Sequence, residues 1–398
     1  MNLEQPFKLP CGAILPNRIA KAAMTERLAN KNQFANEKHE ILYKHWASTG
    51  SGLLISGNVI VDKRYKEAAA NIVIENEDGL DALKKMTKAG TSNNNHLWAQ
   101  ISHAGRQASI FSTFKSIAPS PVKLKKLGLF TTPREMTKLE IEDVIDRYVN
   151  TARIAQKAGF TGVQFHAAHG YLLTQFLLPK TNKRKDEFGG SIENRAKILF
   201  RIIKKARQVL GKHYPISVKL NSADFQRGGY NDTDAFFIIK RLEELGVDLL
   251  EISGGTYEHL DFMMEKYERE STRKREAYFL DFAQKVRQQF NIPLMVTGGF
   301  RSFDFCEKVL EDNLLDIIGF ARPYLIDKEF PQSFLSSKGK LEDKKLNVNI
   351  KAFTDMAEAG YYDYQIHQIA NNKPLKPNYN PWIGLLRFTK NEMMKGWF

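Results

Sequence analysis

The chain has 398 residues, of which 42% are hydrophobic and 26% charged, a composition typical of a globular protein rather than a disordered chain. Its two cysteines, Cys11 and Cys306, are too few for a disulfide framework, and neither has a second cysteine at metal-ligand spacing, which argues against zinc-thiolate and iron–sulfur sites. The sequence has no run of about 18 uncharged apolar residues and does not begin like a secretory signal. We therefore expect a cytoplasmic protein that does not act at membranes.

The formal net charge is +14, from 59 Lys plus Arg against 45 Asp plus Glu, which raises the possibility of an anionic partner such as nucleic acid. The basic clusters at residues 123–126, 183–185 and 204–207 are scattered, however, and lack the interleaved aromatics of an RNA-binding motif. Solvated loops and helix faces explain them better. The sequence therefore predicts no nucleic-acid partner.

Short runs rich in Val, Ile and Leu recur along the chain, each followed by a helical pattern. The eight runs are IAKAAMT (19–25), GLLISGNVIV (52–61), LWAQISH (97–103), GVQFHAA (162–168), PISVKLN (215–221), VDLLEISG (247–254), IPLMVTGG (292–299) and LLDIIGFA (314–321). They are continuously apolar, as buried parallel strands are. An open doubly wound sheet has the same alternation, but the count of eight and the lack of a GxGxxG turn after the first run favour an α/β fold of the (β/α)8 TIM-barrel type.

The intervening helices carry start and stop signals. Thr137 and Glu140 have capping-box spacing at the start of a helix that is predicted to run to Ala158, with Gly159 as its stop. Similarly, a helix capped by Ser191 is predicted to end at residue 211, and one capped by Asp232 at residue 246. Strands and helices therefore alternate, and these helices have residues that favour their start and their end.

The longer loops, at about residues 104–136, 169–190 and 255–275, all follow strands. In a barrel they lie at the carboxyl face, where barrel enzymes build their sites. We expect residues 1–335 to form the barrel and residues 336–398 to form a helical extension packed on it, with an outer helix near residues 349–359 and a Pro/Asn-rich end.

Two histidines and a tyrosine follow the fourth predicted strand. Neutral imidazoles of His166 and His169 can donate hydrogen bonds to one carbonyl or phenolate oxygen. The phenol of Tyr171 can act as a general acid beside a developing carbanion. From spacing alone, the histidines are equally compatible with a structural role, and a metal pair would need a third ligand for which no motif appears.

The last two predicted strands end in residues suited to an anion. Gly298 and Gly299 follow the seventh strand, and Ala321 and Arg322 close the eighth. These are the loops that commonly cradle a phosphate in barrels, although a purely structural turn explains the glycines equally well.

Two polar residues mark the middle of the predicted barrel mouth. Gln100 offers a donor and an acceptor to a heterocycle edge, and Lys219 adds a cation. The alternative for Lys219 is an ion pair with a barrel acid such as Glu251. A flavin would use both groups, because negative charge collects near its N1 and O2 atoms on reduction.

Taken together, these residues resemble the Old Yellow Enzyme family of FMN-dependent ene-reductases. The resemblance runs from about Pro6 to about Pro331 and is most specific in HAAHGYLLTQFLLPKTNKRKDEFGGSIENR, which begins at His166. By this resemblance, His166 and His169 bind the substrate carbonyl oxygen and Tyr171 protonates the α carbon. No metal is implied.

The same resemblance implies a set of FMN contacts. NRIAKAAMT resembles the first-strand signature of the family, and the implied cofactor-binding residues are Ala22, Ala23, Met24, Thr25, Gly57, Gln100, Lys219, Gly298, Gly299, Ala321 and Arg322. Thr25 is expected near flavin O4. Lys219 replaces the usual arginine of the family, which keeps the charge but loses the two-pronged donor. Glu26 and Arg27 replace an aromatic residue, and Arg27 is predicted to contact substrate.

The activity implied is transfer of hydride from NAD(P)H through FMN to the activated C=C bond of an α,β-unsaturated carbonyl compound. Alternatives are reduction of another substrate class, either tRNA uridine or aromatic and nitro compounds, a non-catalytic flavin-binding protein, and a metal hydrolase. The missing cysteine cluster and the length argue against the iron–sulfur cluster and second nucleotide-binding domain of larger relatives. The expected partner is a small-molecule enone or related electrophile, and a homo-oligomer is possible.

Overall fold

Eight parallel strands close into a barrel in the computed structural model. The structure describes residues 1–125, 128–222, 231–253, 279–342, 344, 346 and 351–396, with side chains of residues 351 and 352 left out. The barrel strands are β1 (Ile19–Lys21), β2 (Leu53–Ile60), β3 (His96–Ser102), β4 (Gly162–Ala167), β5 (Ile216–Asn221), β6 (Leu249–Ser253), β7 (Leu294–Thr297) and β8 (Ile317–Phe320). The predicted loop at 255–275 lies outside the described residues.

The strands pair in chain order, and the barrel closes where β8 pairs with β1, with Ile318 opposite Ile19. All eight predicted strands are present, so the predicted (β/α)8 barrel is confirmed. A short hairpin of Phe7–Lys8 with Ile14–Leu15 brings Leu9 and Leu15 against the barrel interior at the end opposite the site. This hairpin covers the amino-terminal end of the barrel.

The interior of the barrel changes from apolar to polar along the strands. Its lowest layer contains Ala20, Leu53, Trp98, Leu249, Met295 and Ile317. Successive residues alternate between the interior and the helices, so the next inward side chain lies two residues further along each strand, and on β3 and β6 it is polar. Glu251 follows Leu249 in this way, and Gln100 follows Trp98. The barrel is therefore filled by apolar side chains at one end and contains polar side chains nearer the other.

Helices cover the outside of the barrel and continue beyond it. They are α1 (Glu37–Ser48), α2 (Leu80–Gly90), α3 (Lys138–Lys157), α4 (Leu172–Leu177), α5 (Ile192–Leu210), α6 (Asp232–Glu244), α7 (Leu280–Arg287), α8 (Phe303–Glu311), α9 (Gln332–Ser337), α10 (Lys351–Ile369) and α11 (Pro381–Lys395). Thr137 and Glu140 form the predicted capping box of α3. Ser191 caps α5 as predicted, but Asn231 rather than Asp232 caps α6.

The carboxyl-terminal part differs from the sequence prediction. The outer helix expected near residues 349–359 is α10, which continues to Ile369, and the Pro/Asn-rich end contains a second helix, α11, that the sequence analysis missed. Asn380 accepts a hydrogen bond from the backbone N–H of Trp382, and Pro381 occupies the first turn, where its missing N–H costs nothing. Residues that read as a loop are therefore a helix start.

The two last helices cross closely, and α11 forms an ion pair with the segment that follows β1. A β-carbon at Gly360 would collide with the backbone carbonyl of Gly384, so the helix backbones approach as only glycine allows. Nε of Arg27, a residue that follows β1, lies 3.0 Å from Oε1 of Glu392 in α11. Glu392 also accepts hydrogen bonds from the backbone N–H of Ala69.

No helix in the described part of the chain is both long enough and apolar enough to span a membrane.

Candidate functional site

The carboxyl ends of the strands bring the predicted catalytic residues to one mouth. In the parallel pairing, His166 of β4 stands opposite Lys219 of β5, which stands opposite Glu251 of β6. His169 and Tyr171 follow in the loop between β4 and α4, so three residues close in sequence reach the mouth from one strand end. The ring centroids of His166 and Tyr171 are 4.7 Å apart.

A bulge in β2 aims a further side chain at the histidines. Ile55 pairs with Trp98, but the next pair is Asn58 with Gln100, so β2 carries one extra residue. Such bulges redirect side chains at barrel rims. Asn58 Oδ1 consequently lies 2.9 Å from Nδ1 of His166.

The two histidines contact each other directly. Nε2 of His166 lies 3.1 Å from Nδ1 of His169, and Nε2 of His169 lies 2.7 Å from the hydroxyl of Ser253. His169 has a left-handed backbone, with φ +60°, and its N–H donates to the side chain of Asn221. Burial lowers the pKa of both rings well below the usual value, and the cation of Lys219 lowers both further. Both imidazoles are therefore neutral at pH 7.

The phenol of Tyr171 is bonded to a carboxylate that the sequence analysis did not single out. Tyr171 is 4% exposed, and its hydroxyl donates to Oε2 of Glu67 at 2.8 Å. Glu67 also accepts from the hydroxyl of Thr25 at 2.6 Å and from the amide of Asn71 at 3.2 Å. The predicted proton donor therefore shares one hydrogen-bonded cluster with a residue of the first predicted cofactor segment.

Below the histidines, polar side chains form a connected layer across the barrel. Gln100 donates to Gln164 at 2.7 Å, and Gln164 donates to Glu251 at 2.9 Å. Lys219 and Thr297 both donate to the other oxygen of Glu251, each at 2.7 Å. The ion pair of Lys219 with Glu251 that the sequence suggested is thus present, and both side chains are almost fully buried.

The segment after β1 is hydrogen-bonded to the bulge of β2. Glu26 accepts hydrogen bonds from the hydroxyl of Tyr43 and, at 2.8 Å, from the backbone N–H of Gly57. A β-carbon at Gly57 would collide with the carboxylate of Glu26 and the carbonyl oxygen of Met24, so this close approach requires glycine. Met24 and Gly57, both predicted to bind the cofactor, therefore lie side by side.

The ends of β7 and β8 enclose a small cavity. Gly298 and Gly299 have left-handed backbones with φ +108° and +87°, and the cavity of about 60 Å³ is lined by them together with Arg301, Ala321 and Arg322. The space in front of Gly298 is open, because a β-carbon there would have no atom within 4 Å. Two arginines beside open glycine backbone suit a phosphate group.

Comparison with known proteins identifies the family of the chain. The family described as NADH:flavin oxidoreductase / NADH oxidase matches residues 2–339. The chain belongs to this family.

Individual relatives agree with that membership. The chain is 35% identical to the NADH-dependent flavin oxidoreductase iliE of Neonectria sp. (strain DH2) over 85% of its own length, but it spans only 47% of that protein. It is 33% identical to a protein of the same description from Hypocrea jecorina (strain QM6a), over 84% of this chain and 89% of that one.

A solved structure of an Old Yellow Enzyme homologue from Zymomonas mobilis has 25% identity and a TM-score of 0.75, covering 89% of this chain and 99% of that one. The predicted resemblance to the Old Yellow Enzyme family is confirmed. Membership of the family also confirms that the chain is a flavin-dependent oxidoreductase that uses FMN and NAD(P)H.

The residues of this family member fit FMN at both ends of the cofactor. The open glycine turn with Arg301 and Arg322 is suited to the phosphate, and the layer containing Gln100 and Lys219 offers donors and a cation to the ring. The individual contacts of residues 22–25, 57, 100, 219, 298, 299, 321 and 322 remain predictions. The hydroxyl of Thr25, expected near flavin O4, donates to Glu67 here.

Arg27, predicted to contact substrate, is engaged elsewhere in this structure. Its guanidinium bonds Glu392 and lies 4.6 Å from the ring centre of Phe388. Burial acts to lower the pKa of Arg27, but the carboxylates of Glu392 and Glu67 outweigh it and raise the pKa. A substrate contact by Arg27 therefore stays a prediction, and its present partner is the last helix.

Within the described residues, no group of three or more His, Cys, Asp or Glu side chains is arranged to hold a metal ion.

Sequence reasoning missed Arg301, which lines the cavity at the ends of β7 and β8, and four residues around the histidines and Tyr171. Asn221 and Ser253 end or nearly end a barrel strand, and Asn58 lies near the end of another, so the rule that polar residues at strand ends face the site would have found them. Glu67 lies in the loop after β2, and no local pattern marks it. Its contact with Tyr171 arises only in the folded protein, because the two residues are 104 positions apart in the sequence.

Proposed function

We propose that the protein is an FMN-dependent oxidoreductase that reduces the activated C=C bond of α,β-unsaturated carbonyl compounds, with NAD(P)H as the hydride donor. Bound FMN supplies the hydride chemistry, accepting hydride from the nicotinamide and delivering it to the β carbon of the alkene. The observation that supports this proposal is the grouping of His166, His169 and Tyr171 at one mouth, where the ring centre of Tyr171 lies 4.7 Å from that of the neutral imidazole of His166.

The histidines suit the recognition of a carbonyl oxygen. Because both rings are neutral, the N–H that His169 directs towards His166 can be presented to an oxygen without a charge on the ring, and a neutral donor stabilises an oxygen on which negative charge develops. Asn58 and Ser253 fix the outer nitrogens and so orient the rings. The pair would bind a ketone, an aldehyde or a phenolate at the same position.

Tyr171 would complete the reduction by giving its proton to the α carbon. The phenolic O–H bond breaks and a C–H bond forms, which leaves the electron pair on the phenolate oxygen. A general acid positioned in this way accelerates a step by about 10²–10⁴-fold. Tyr171 is buried at the mouth, beside the ring of His166, which suits a proton donor held in one place.

Reduction of tRNA uridine, the alternative suggested by the positive charge, normally needs an acidic cysteine in the active-site loop. Cys11 belongs to the apolar cluster at the amino-terminal end of the barrel, where burial raises the pKa of its thiol to about 11. Cys306 is fully buried in α8. Neither thiol lies at the mouth, which favours a small-molecule alkene as substrate.

The visible spectrum of purified protein tests the proposal. We expect a yellow protein that bleaches on anaerobic addition of NADH or NADPH and regains its oxidised bands when cyclohexenone is added. A protein that takes up FMN and is bleached, but stays bleached with a series of enones, would contradict alkene reduction. A colourless protein that also fails to bind added FMN would contradict the flavin assignment itself.

A further inference from the structure

The hydroxyl proton of Tyr171 points at a carboxylate in this structure. Tyr171 donates to Oε2 of Glu67 at 2.8 Å, so the proton that the α carbon requires is held in another hydrogen bond. Donating to a carboxylate also makes a phenol a weaker acid. Protonation of substrate by Tyr171 therefore needs an explanation for how this bond is released.

We infer that Glu67 is the positioning residue that controls and renews the proton of Tyr171. This inference rests on the function proposed above. In its acid form, Glu67 donates to the phenolic oxygen, which turns the O–H of Tyr171 away from the carboxyl group and leaves it available to substrate. In its carboxylate form, Glu67 holds the phenol proton in place between turnovers.

The proton balance follows from this geometry. When Tyr171 protonates the α carbon, it becomes a phenolate beside a carboxyl group 2.8 Å away. A carboxylic acid is a much stronger acid than a phenol, so a phenolate in contact with the acid form of Glu67 takes its proton. The O–H bond of Glu67 therefore breaks, its proton moves to the phenolate oxygen, and the resulting carboxylate takes one proton from water. Each turnover consumes one hydride and one solvent proton.

The position of Glu67 suits transfer between solvent and site. Its side chain is half-buried, whereas Tyr171 is 4% exposed, so Glu67 is the more accessible end of the pair. Asn71 and Thr25 hold Oε1, the oxygen that does not contact Tyr171, at 3.2 Å and 2.6 Å. One carboxyl oxygen is therefore anchored while the other faces the phenol.

Other charges act on the same carboxyl group from neighbouring elements. The guanidinium of Arg27 interacts with Glu67 and with Glu392 of α11, and Lys66 is the adjacent residue in the loop. The cation of Arg27 is therefore shared between the carboxyl groups of Glu67 and Glu392.

The test compares two ways of reoxidising the same reduced holoenzyme. Reduction of an enone requires a proton at carbon, whereas ferricyanide accepts single electrons and requires none. In Glu67→Gln, which keeps an acceptor for the phenol but cannot deliver a proton, we expect enone reduction to slow by about 10-fold to 100-fold. Bleaching by NADH and reoxidation by ferricyanide should stay within about twofold of the unsubstituted protein.

Three further variants provide a matched control, a conservative substitution and a chemical rescue. Glu77→Gln removes a surface carboxylate of the loop following β2 that pairs with Arg153 and Lys157, and should leave all three rates unchanged. Glu67→Asp keeps a carboxyl group and should recover part of the enone rate. In Glu67→Ala, added acetate should raise the enone rate but not the ferricyanide rate.

Three outcomes would overturn the inference. An enone rate of Glu67→Gln within twofold of the unsubstituted protein would show that Glu67 does not act on protonation. A uniform loss in all three reactions would show that Glu67 supports only the fold or the cofactor. If the unsubstituted holoenzyme is reoxidised by ferricyanide but by no enone, the proposed function itself fails, and the role of Glu67 falls with it.

Discussion

Nε2 of His166 and Nδ1 of His169 lie 3.1 Å apart, so the two imidazoles are bonded to each other. The oxygen of the Asn58 amide can only accept, which places a proton on Nδ1 of His166 and leaves its Nε2 to accept from His169. Nε2 of His169 then accepts from the hydroxyl of Ser253. Binding of a carbonyl oxygen therefore has to replace the bond between the two rings.

His169→Ala should weaken the binding of a phenol or enone by about 10-fold to 100-fold, the cost of losing one hydrogen bond to a charged or polarised oxygen. Flavin reduction by nicotinamide should change little, because hydride transfer to the flavin needs no carbonyl donor. Spectral titration with a phenol and rapid-mixing measurement of flavin reduction give the two values. His213→Ala, at the amino-terminal end of β5, is a matched control.

Equal losses in ligand binding and flavin reduction in His169→Ala would contradict a role in carbonyl recognition. The neutral state of both rings adds a condition to this test. Because burial and Lys219 hold their pKa values well below the usual value, ligand binding should show no histidine titration between about pH 6 and pH 8.

Tyr171→Phe should slow alkene reduction by about 10²-fold or more while leaving flavin reduction by NAD(P)H intact. The substitution removes the proton donor but keeps the ring that lies 4.7 Å from His166. Separate measurement of the two half-reactions distinguishes these effects. Unchanged alkene turnover in Tyr171→Phe would remove Tyr171 from the reaction as its acid.

The barrel could be predicted because its signals are local. Each strand is a continuous apolar run, and Thr137 with Glu140 marks the start of α3 within four residues. The loop after β4 was equally readable, since His166, His169 and Tyr171 are close in sequence. Contacts between distant residues left no such trace: Tyr171 and Glu67 are separated by 104 residues, and Arg27 and Glu392 by 365.

Local signals also failed where one sequence pattern is compatible with two kinds of local structure. The Asn380–Pro381 pair reads as a turn, yet it begins α11, because asparagine caps a helix and proline is tolerated in its first turn. The choice between these outcomes depends on packing against α10, which the sequence does not display. The same holds for Asn231, which caps α6 in place of its neighbour Asp232.

Lys219→Met should destabilise the protein by about 3–5 kcal/mol, because it leaves the carboxylate of Glu251 buried without its cation. It should also weaken FMN binding by removing the positive charge near the ring. The double variant Lys219→Met with Glu251→Gln should recover much of the stability but not the FMN affinity. Urea unfolding and flavin titration measure the two properties separately.

Full FMN affinity in Lys219→Met would contradict a cofactor role for this cation. Lys219→Arg is the conservative variant, because it restores the residue that the family usually carries and adds a two-pronged donor. It should bind FMN at least as tightly as the unsubstituted protein.

His39→Gln should make stability less sensitive to acid. Burial lowers the pKa of His39 to about 3, so below the ordinary pKa of 6.5 the unfolded chain takes up a proton that the folded protein does not. Stability is therefore lost as pH falls below that value, by about 1.4 kcal/mol per pH unit for this residue. Glutamine keeps an acceptor for the N–H of Asn36 and removes the titration.

Chemical unfolding of both proteins at a series of pH values between about pH 6 and pH 4 provides the comparison. The loss of free energy of unfolding per pH unit should be smaller in His39→Gln by about 1.4 kcal/mol. Equal slopes for the two proteins would show that His39 does not contribute to acid sensitivity.

We propose that residues 336–398 form an extension fastened to the barrel through Glu392, which contacts Arg27 and the N–H of Ala69. Glu392→Ala should cost about 1.5–3 kcal/mol and loosen α11, because hydrogen bonds to a charged group are lost in a buried place. Faster hydrogen exchange in α11, with unchanged exchange in α3, would show this. Glu392→Gln should cost less, and an unchanged exchange pattern in both variants would contradict the fastening role.

In the proposed reaction, hydride and proton reach adjacent carbons of an alkene from two different sources. The most direct measurement is the position of deuterium in the reduced enone, determined by NMR after turnover with deuterated nicotinamide in water and with ordinary nicotinamide in heavy water. We predict nicotinamide deuterium at the β carbon and solvent deuterium at the α carbon. An enone returned unreduced, or a product with nicotinamide deuterium at the α carbon, would contradict the proposed function.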